Sequence, residues 1–303
     1  MTIGFIGIGR IGMPVARHLA RAGHQLRVFD TRPAAMARAA SEFGAVPAGS
    51  AGEAAAGATT IILCLAGPEQ DGEALRGPRG VLAQATRGSL IIDTTTVTVS
   101  LTRALAHEAM ALGLGFVEAP LAGGQAAAID GKLTAMLAGD PQDCEQAEPV
   151  LKNFCSVVHR VGISGEGIAL QLINQAIYVA YMAAFAEGLA IGDAIGIDLE
   201  TMLSVLDKSS AGHPRIASKY DEIRGLSDKG FAIERAMAYL DLAGEACNHA
   251  PVATPVLDAT RRSLRRAEAL GLSDQDLIVA RDAYLALPPR RQDDPRREAL
   301  TLY

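Results

Sequence analysis

The chain has 303 residues, of which 49% are hydrophobic, 20% charged and only 4% aromatic, with no Trp and a formal net charge of -6. That apolar content excludes general disorder, and because it is aliphatic rather than aromatic it suits layered α/β and all-α cores. The length allows two domains, while the negative charge and scarce aromatics exclude the usual footprint of nucleic-acid binding.

Short β-type runs at Ile3–Ile6, Leu26–Phe29, Thr59–Leu65, Leu90–Ile92, Gly115–Val117, Leu133–Leu137 and Val157–Arg160 alternate with Ala-rich helical stretches. Such βαβ alternation predicts a mostly parallel sheet. From Gly165 to Ile195 the pattern becomes one helical stretch without Pro, and segments 198–207, 214–225, 231–249, 253–270 and 274–286 also read as helices. At about 1.5 Å per residue, a helix over Gly167–Ile195 runs ~43 Å, longer than a small domain is wide, so it is expected to bridge two domains. Its Ala/Leu/Ile stripe reads as interdomain or dimer core. The expected organisation is an α/β domain over 1–162 and an all-helical domain over 163–303. Pro288-Pro289 ends the last helix, and the tail with charges of both signs that follows reads as solvated.

Cys64, Cys144, Cys155 and Cys247 lie far apart without metal-ligand spacing and read as free thiols. His18, His24, His107, His159 and His249 are equally scattered, so no metal site is expected. The start, Met1-Thr2-Ile3-Gly4-Phe5, has no basic flank and resembles neither a signal nor a transit peptide. The apolar stretch Ala176 to Ala186 falls short of the ~20 residues of a membrane span, so a cytoplasmic protein without a transmembrane helix is expected.

The first strand runs straight into Gly7-Ile8-Gly9-Arg10-Ile11-Gly12, with a helical stretch from Pro14 to Ala22 behind it. Gly7 permits the tight turn, Gly9 lets backbone approach a pyrophosphate, Gly12 lets helix and strand pack closely, and the helix N-terminal amides face the phosphates. Arg10 in the loop points to solvent or pyrophosphate; Ile11 and Met13 complete the cradle. Asp30 ends the second strand, where it suits the adenosine-ribose hydroxyls and so favours NAD. Thr31-Arg32 keeps NADP open, because a guanidinium fork matches a 2′-phosphate.

With that loop, three further stretches resemble the β-hydroxyacid dehydrogenase family, which includes 3-hydroxyisobutyrate dehydrogenase and tartronate semialdehyde reductase. They are Leu65-Ala66, Asp93-Thr94-Thr95-Thr96-Val97 and Glu118-Ala119-Pro120-Leu121-Ala122-Gly123-Gly124. The resemblance implies an N-terminal Rossmann domain, a long interdomain helix and an all-α C-terminal domain that dimerises or forms a larger homo-oligomer. It implies hydride transfer between nicotinamide and a small carbonyl or alcohol in the interdomain cleft. Leu65 and Ala66 would flank the cofactor and Thr96, or else Thr95, would contact its nicotinamide half. Ala122, Gly123 and Gly124 would meet the substrate carboxylate, and His213 lies in a stretch similar to a substrate-contacting loop.

The chain also departs from the family pattern. Gln171 stands where the family has a catalytic lysine, three residues before a retained Asn174. Ala122 stands where Ser is common, and Ala238-Tyr239 where a Lys-Asp pair is expected. A glutamine donates a hydrogen bond but delivers no proton, and loss of a positioned general acid costs about 10²–10⁴-fold in rate. Tyr178, two helical turns after Gln171, and Tyr239 are therefore candidate proton donors; His213 is a further candidate acid or else a solvent-facing loop residue. Two alternatives accompany the dehydrogenase reading: an imine reductase, since an iminium already carries its proton, and a cofactor-binding protein that has lost catalysis.

Overall fold

The computed structural model describes residues 1–213, 219, 223, 230–247 and 252–285. Most of the helix expected over 214–225, together with His249 and the charged tail, lies outside them. Packing divides the chain into one unit of Met1–Asn174 with Leu242–Ala250 and a second of Gln175–Asp241 with Pro251–Tyr303. The sheet-bearing unit takes in the start of the long helix.

In the first unit, strands β1 (Thr2–Ile6), β2 (Gln25–Phe29), β3 (Val46–Pro47), β4 (Thr60–Leu63), β5 (Leu90–Asp93) and β6 (Gly115–Glu118) lie parallel in the order β3-β2-β1-β4-β5-β6. Strand β8 (Leu133–Gly139) extends this sheet antiparallel to β6 and pairs with β7 (Leu121–Ala122) and β9 (Cys155–Gly162). Both faces are covered, so the strands are continuous apolar runs whose alternate residues enter different cores. Ile3, Phe5, Ile62, Leu90, Ile92 and Val117 pack on one side, Ile6, Ile61, Leu63, Ile91 and Phe116 on the other. The two-residue strands β3 and β7 escaped the sequence reading because so short a run carries no periodicity.

The helices of this unit are α1 (Gly12–Arg21), α2 (Pro33–Phe43), α3 (Ala51–Ala55), α4 (Pro68–Arg76), α5 (Val81–Gln84), α6 (Val99–Ala111), α7 (Gly124–Asp130) and α8 (Pro141–Leu151). Side chains at the expected positions start several of them: Ser50 accepts from the Glu53 amide, Thr98 from Leu101 and Asp140 from Gln142. Helix α1 begins at Gly12, two residues before the expected start at Pro14, because the Met13 amide already bonds Gly9 at 3.0 Å.

Helix α9 (Glu166–Ala194) has 29 residues, as expected, and continues from the first unit into the second. One 18-residue window of it has a mean hydropathy of 1.4, so by length and composition it could cross a membrane, which corrects the expectation that no stretch reaches that length. Ile168, Leu172, Val179, Met182, Phe185, Ala186 and Leu189 on it are buried within the protein. The second unit adds α10 (Leu199–Asp207), α11 (Ile233–Cys247), whose last turn belongs to the first unit, and α12 (Pro255–Ala269). The stretch expected as one helix over 274–286 divides into a 3-10 turn, Leu277–Val279, and α13 (Ala280–Leu285). The division falls where Asp276 turns inward: its carboxylate, 2% exposed, accepts from Lys219 Nζ and the Phe231 amide, both at 2.5 Å, and from the Ile278 amide.

Candidate active site

Strand order reverses between β1 and β4, so the loops leaving their C-terminal ends diverge and open a crevice there. The glycine loop leaves β1 on one side and Cys64-Leu65-Ala66 leaves β4 on the other. Gly7 has φ +91, and a Cβ on it would lie 2.4 Å from the Cys64 carbonyl oxygen, so glycine is required both by conformation and by the close approach of the two loops. A Cβ on Gly12 would lie 1.9 Å from the Gly7 carbonyl oxygen, which explains how α1 starts so near the strand. At Gly9, by contrast, the nearest described atom to a Cβ is Arg32 Nη2 at 3.7 Å, and the loop backbone is open.

Asp30 is 8% exposed at the end of β2, and its Oδ2 accepts from the Ile8 amide at 3.0 Å. Its other partner is Arg32, which donates from its amide and Nε to Oδ1, both at 2.9 Å, and from Nη2 to Oδ2. Burial raises the carboxyl's pKa, but the Arg32 guanidinium and the two amides outweigh it and leave Asp30 below its ordinary value. Asp30 and Arg32, read separately in sequence, form one unit that braces the glycine loop. Arg10 is exposed and donates from Nε to Gln125 Oε1 on α7 at 3.1 Å, tying the loop to the start of the Gly123-Gly124 segment.

Beyond the crevice, the Thr95 Oγ1 accepts from the Leu65 amide at 3.2 Å, and its own amide donates to Asp93 Oδ1 at 2.9 Å. Thr95 is 1% exposed and held by these bonds, whereas Thr96 is half-buried; this leaves Thr96 the better placed of the two to meet a ligand. Leu65 is half-buried and Ala66 exposed. Beneath lie two carboxyls to which sequence reading assigned no role. Burial pushes Asp93 up to about 6 against the pull of the Thr95 amide. Asp71 of α4, fully buried, is raised well above its ordinary value by burial and then by the charge of Asp93. In sequence Asp71 looks like any polar residue of a surface helix, and only packing turns it inward.

Glu118 ends β6 and ties the long helix to the sheet. Its Oε2 accepts from the Gly165 amide at 2.8 Å and its Oε1 from Ile168 at 3.1 Å, so a carboxyl from the sheet serves the unsatisfied amides at the start of α9. Gly167 keeps the contact close, since a Cβ there would lie 2.6 Å from the Met136 carbonyl oxygen. Burial pushes Glu118 up to about 7, with those amides pulling the other way and the Asp93 charge adding to the rise.

One turn further, Gln171 is 1% exposed and donates from Nε2 to the Leu121 carbonyl oxygen at 3.1 Å. Its Oε1 is buried without a hydrogen-bond partner among the described residues. Gln171 therefore fastens α9 to the segment that carries Ala122, Gly123 and Gly124. Gly123 (φ +131) turns that segment into α7, where a Cβ would strike Ala127. Asn174 is exposed on the same helix.

Within the second unit, the half-buried Tyr178 and Tyr239 flank Phe231, with ring centroids 5.9 and 5.8 Å from it, and Arg235 lies over the Tyr239 ring. The structure thus joins the two tyrosines through a ring that sequence spacing did not assign. His213 is exposed, its ring 5.5 Å from that of Tyr181, whose hydroxyl donates to the Ala211 carbonyl oxygen.

Residues 2–162 match the family described as the NAD binding domain of 6-phosphogluconate dehydrogenase, and residues 165–281 that described as NAD-binding of NADP-dependent 3-hydroxyisobutyrate dehydrogenase. The 3-sulfolactaldehyde reductase of Escherichia coli is 30% identical over 91% of this chain and 93% of its own. A 3-hydroxyisobutyrate dehydrogenase structure from Mycobacterium tuberculosis, with L-serine, superposes with TM-score 0.83 at 26% identity, covering 94% of this chain and 99% of that one. The chain belongs to the β-hydroxyacid dehydrogenase family. An imine reductase from Pseudomonas sp. is more distant in fold, with TM-score 0.61 at 20% identity over 93% of this chain and 98% of that one.

As a β-hydroxyacid dehydrogenase the chain is an NAD(P)-dependent oxidoreductase acting on a small molecule. The open backbone at Gly9, between glycines whose side-chain positions are filled by neighbouring backbone, fits a dinucleotide pyrophosphate lying against the start of α1. A nicotinamide cofactor bound there supplies a hydride donor or acceptor.

Proposed function

We propose that the enzyme transfers a hydride between NAD, with NADP open, and a small acid carrying an aldehyde or alcohol. The substrate class is supported by relatives named for 3-sulfolactaldehyde and 3-hydroxyisobutyrate. The observation that carries the reading is the set of backbone amides and loops at the β1/β4 crevice, linked through Arg10 and Gln125 to the Gly123-Gly124 segment. In this reading Gly7, Gly9, Ile11, Gly12 and Met13 hold the pyrophosphate, Asp30, Thr31 and Arg32 meet the adenosine ribose, and Leu65, Ala66 and Thr96 flank the nicotinamide half. The amides of Gly123 and Gly124 stabilise the substrate's negative charge.

Gln171 occupies the position of the family lysine and, beside Asn174, positions rather than protonates the reacting group. Tyr178 and Tyr239 are the proton donors proposed in its place, with His213 a substrate contact. Because the Gln171 nitrogen is engaged by Leu121, its buried oxygen is the group left to meet a ligand, and an acceptor there also favours a second reading in which the substrate presents an N–H, as an amine or iminium does. Exposed Ile173, Ile177 and Ile191 on α9, with Ile195 just beyond it, support a homodimer or larger homo-oligomer, which light scattering tests; a cytoplasmic location is part of the same proposal.

The deciding experiment titrates the protein with NADH and NADPH, following nicotinamide emission in a chain without Trp, and then assays hydroxy acids, aldehydes and cyclic imines with wild type and Gln171→Lys. Turnover of hydroxy acids that rises in the Lys variant supports the reading. Failure to bind either nucleotide overturns it, and turnover confined to imines replaces it with the second.

A further inference from the structure

Asp71 is 0% exposed, and neither of its carboxyl oxygens has a hydrogen-bond partner among the described residues. It faces Asp93, 1% exposed at the end of β5, and the hydroxyl of Thr95. Two carboxylates so deeply buried cannot both stay ionised without a cation between them. Arg76, on the same helix as Asp71, is the basic group whose charge reaches it, but its Nε and Nη2 are taken by Glu108 of α6 at 2.8 and 2.6 Å. Glu118 of β6 lies within reach of the Asp93 charge and adds a third acid rather than a counter-charge. A proton on Asp71 resolves the difficulty, since it removes one of the two buried charges and gives the side chain a donor to offer Asp93.

We infer that Asp71 and Asp93 share one proton, and that this acid pair, acting through Thr95, holds the Leu65 loop and the Thr94–Thr96 loop in the arrangement that receives the cofactor. The inference rests on the dinucleotide reading above and assigns a positioning role to Asp71, which touches neither cofactor nor substrate. The connection is short. The Thr95 amide donates to Asp93, and the Thr95 Oγ1, while accepting from the Leu65 amide, keeps its own proton to give to the pair. When base removes the shared proton to solvent, two adjacent buried carboxylates repel each other, α4 and the end of β5 are pushed apart, and the bond from Leu65 to Thr95 is the first link between the loops to be strained. Cofactor affinity therefore falls as pH rises through the titration of the pair.

The test combines infrared spectroscopy with nucleotide titration of full-length wild type, Asp71→Asn and Asp71→Leu. At neutral pH the wild type is expected to show more of the carbonyl stretch of un-ionised buried carboxyls than the Asn variant, in which Glu118 still contributes to that band but the Asp71–Asp93 pair does not. As pH is raised above neutral and the pair loses its shared proton, the wild-type Kd for NADH or NADPH should rise by roughly tenfold. In Asp71→Asn, whose amide N–H still donates to Asp93 but cannot be lost to base, the Kd should stay level within about twofold. Asp71→Leu should bind about tenfold more weakly than Asn throughout, since Asp93 then has no donor. Parallel pH slopes in wild type and Asn, or an un-ionised carboxyl band of equal strength in the two, overturn the inference. A wild type that binds neither nucleotide at any pH is a different failure, that of the dinucleotide reading itself.

Discussion

Replacing Glu118 by Gln keeps the side chain's size at the head of α9 but removes its titration. With its carboxyl at about 7 in the folded protein against an ordinary 4.5, Glu118 binds its proton more tightly folded than unfolded. A raised carboxyl stabilises the fold fully below its unfolded pKa, and the contribution disappears as pH rises through the folded value. Between about pH 5 and about pH 8 the loss comes to roughly 2.5 kcal/mol, out of ~3.4 for the whole shift at 1.36 kcal/mol per unit. The wild type should therefore lose about that much more stability than Glu118→Gln over this interval, read from urea midpoints by circular dichroism at each pH. The Gln variant also turns one N–H toward an amide, which costs about 1–3 kcal/mol, so at low pH it should be the less stable protein and at high pH the gap should close. Parallel pH profiles for the two proteins would refute the assignment of Glu118 as a buried, proton-holding cap.

The two inner glycines should separate fold from binding. Gly12→Ala drives a Cβ into the Gly7 carbonyl and should lower stability by about 1–3 kcal/mol along with nucleotide binding, whereas Gly9→Ala has room and should keep the melting temperature while losing affinity. Arg32→Gln should weaken NADPH more than NADH, by about tenfold in the ratio of their Kd values; an unchanged ratio would mean that Arg32 only braces Asp30. Asp276→Ala leaves Lys219 and the Phe231 amide without their acceptor, and calorimetry should show a loss of about 3–5 kcal/mol if the pair anchors the second unit.

Much of the first unit was legible because its determinants are local. The parallel strands are apolar runs bounded by glycines, and Gly7, Gly9 and Gly12 sit at a strand-to-helix junction whose backbone demands can be stated from spacing alone. The strands β3 and β7 and the split of the 274–286 stretch were not legible, since each depends on a partner far away in sequence: β2, β8 and the Lys219–Phe231 region around Asp276. The candidate site divides the same way. Asp30 and Arg32 could each be named, but their mutual pairing is a matter of rotamers.

The sequence by itself determined the class of the protein: a glycine loop between strand and helix, an acid at the next strand end and a 29-residue helix. Tertiary structure alone decided which polar groups are deprived of water. Asp71, Asp93, Glu118 and Gln171 come from four separate elements, α4, β5, β6 and α9, and nothing in their spacing marks them as neighbours. Their protonation and orphaned atoms follow from burial, because desolvation is set by what packs around a group and not by the residues beside it in the chain.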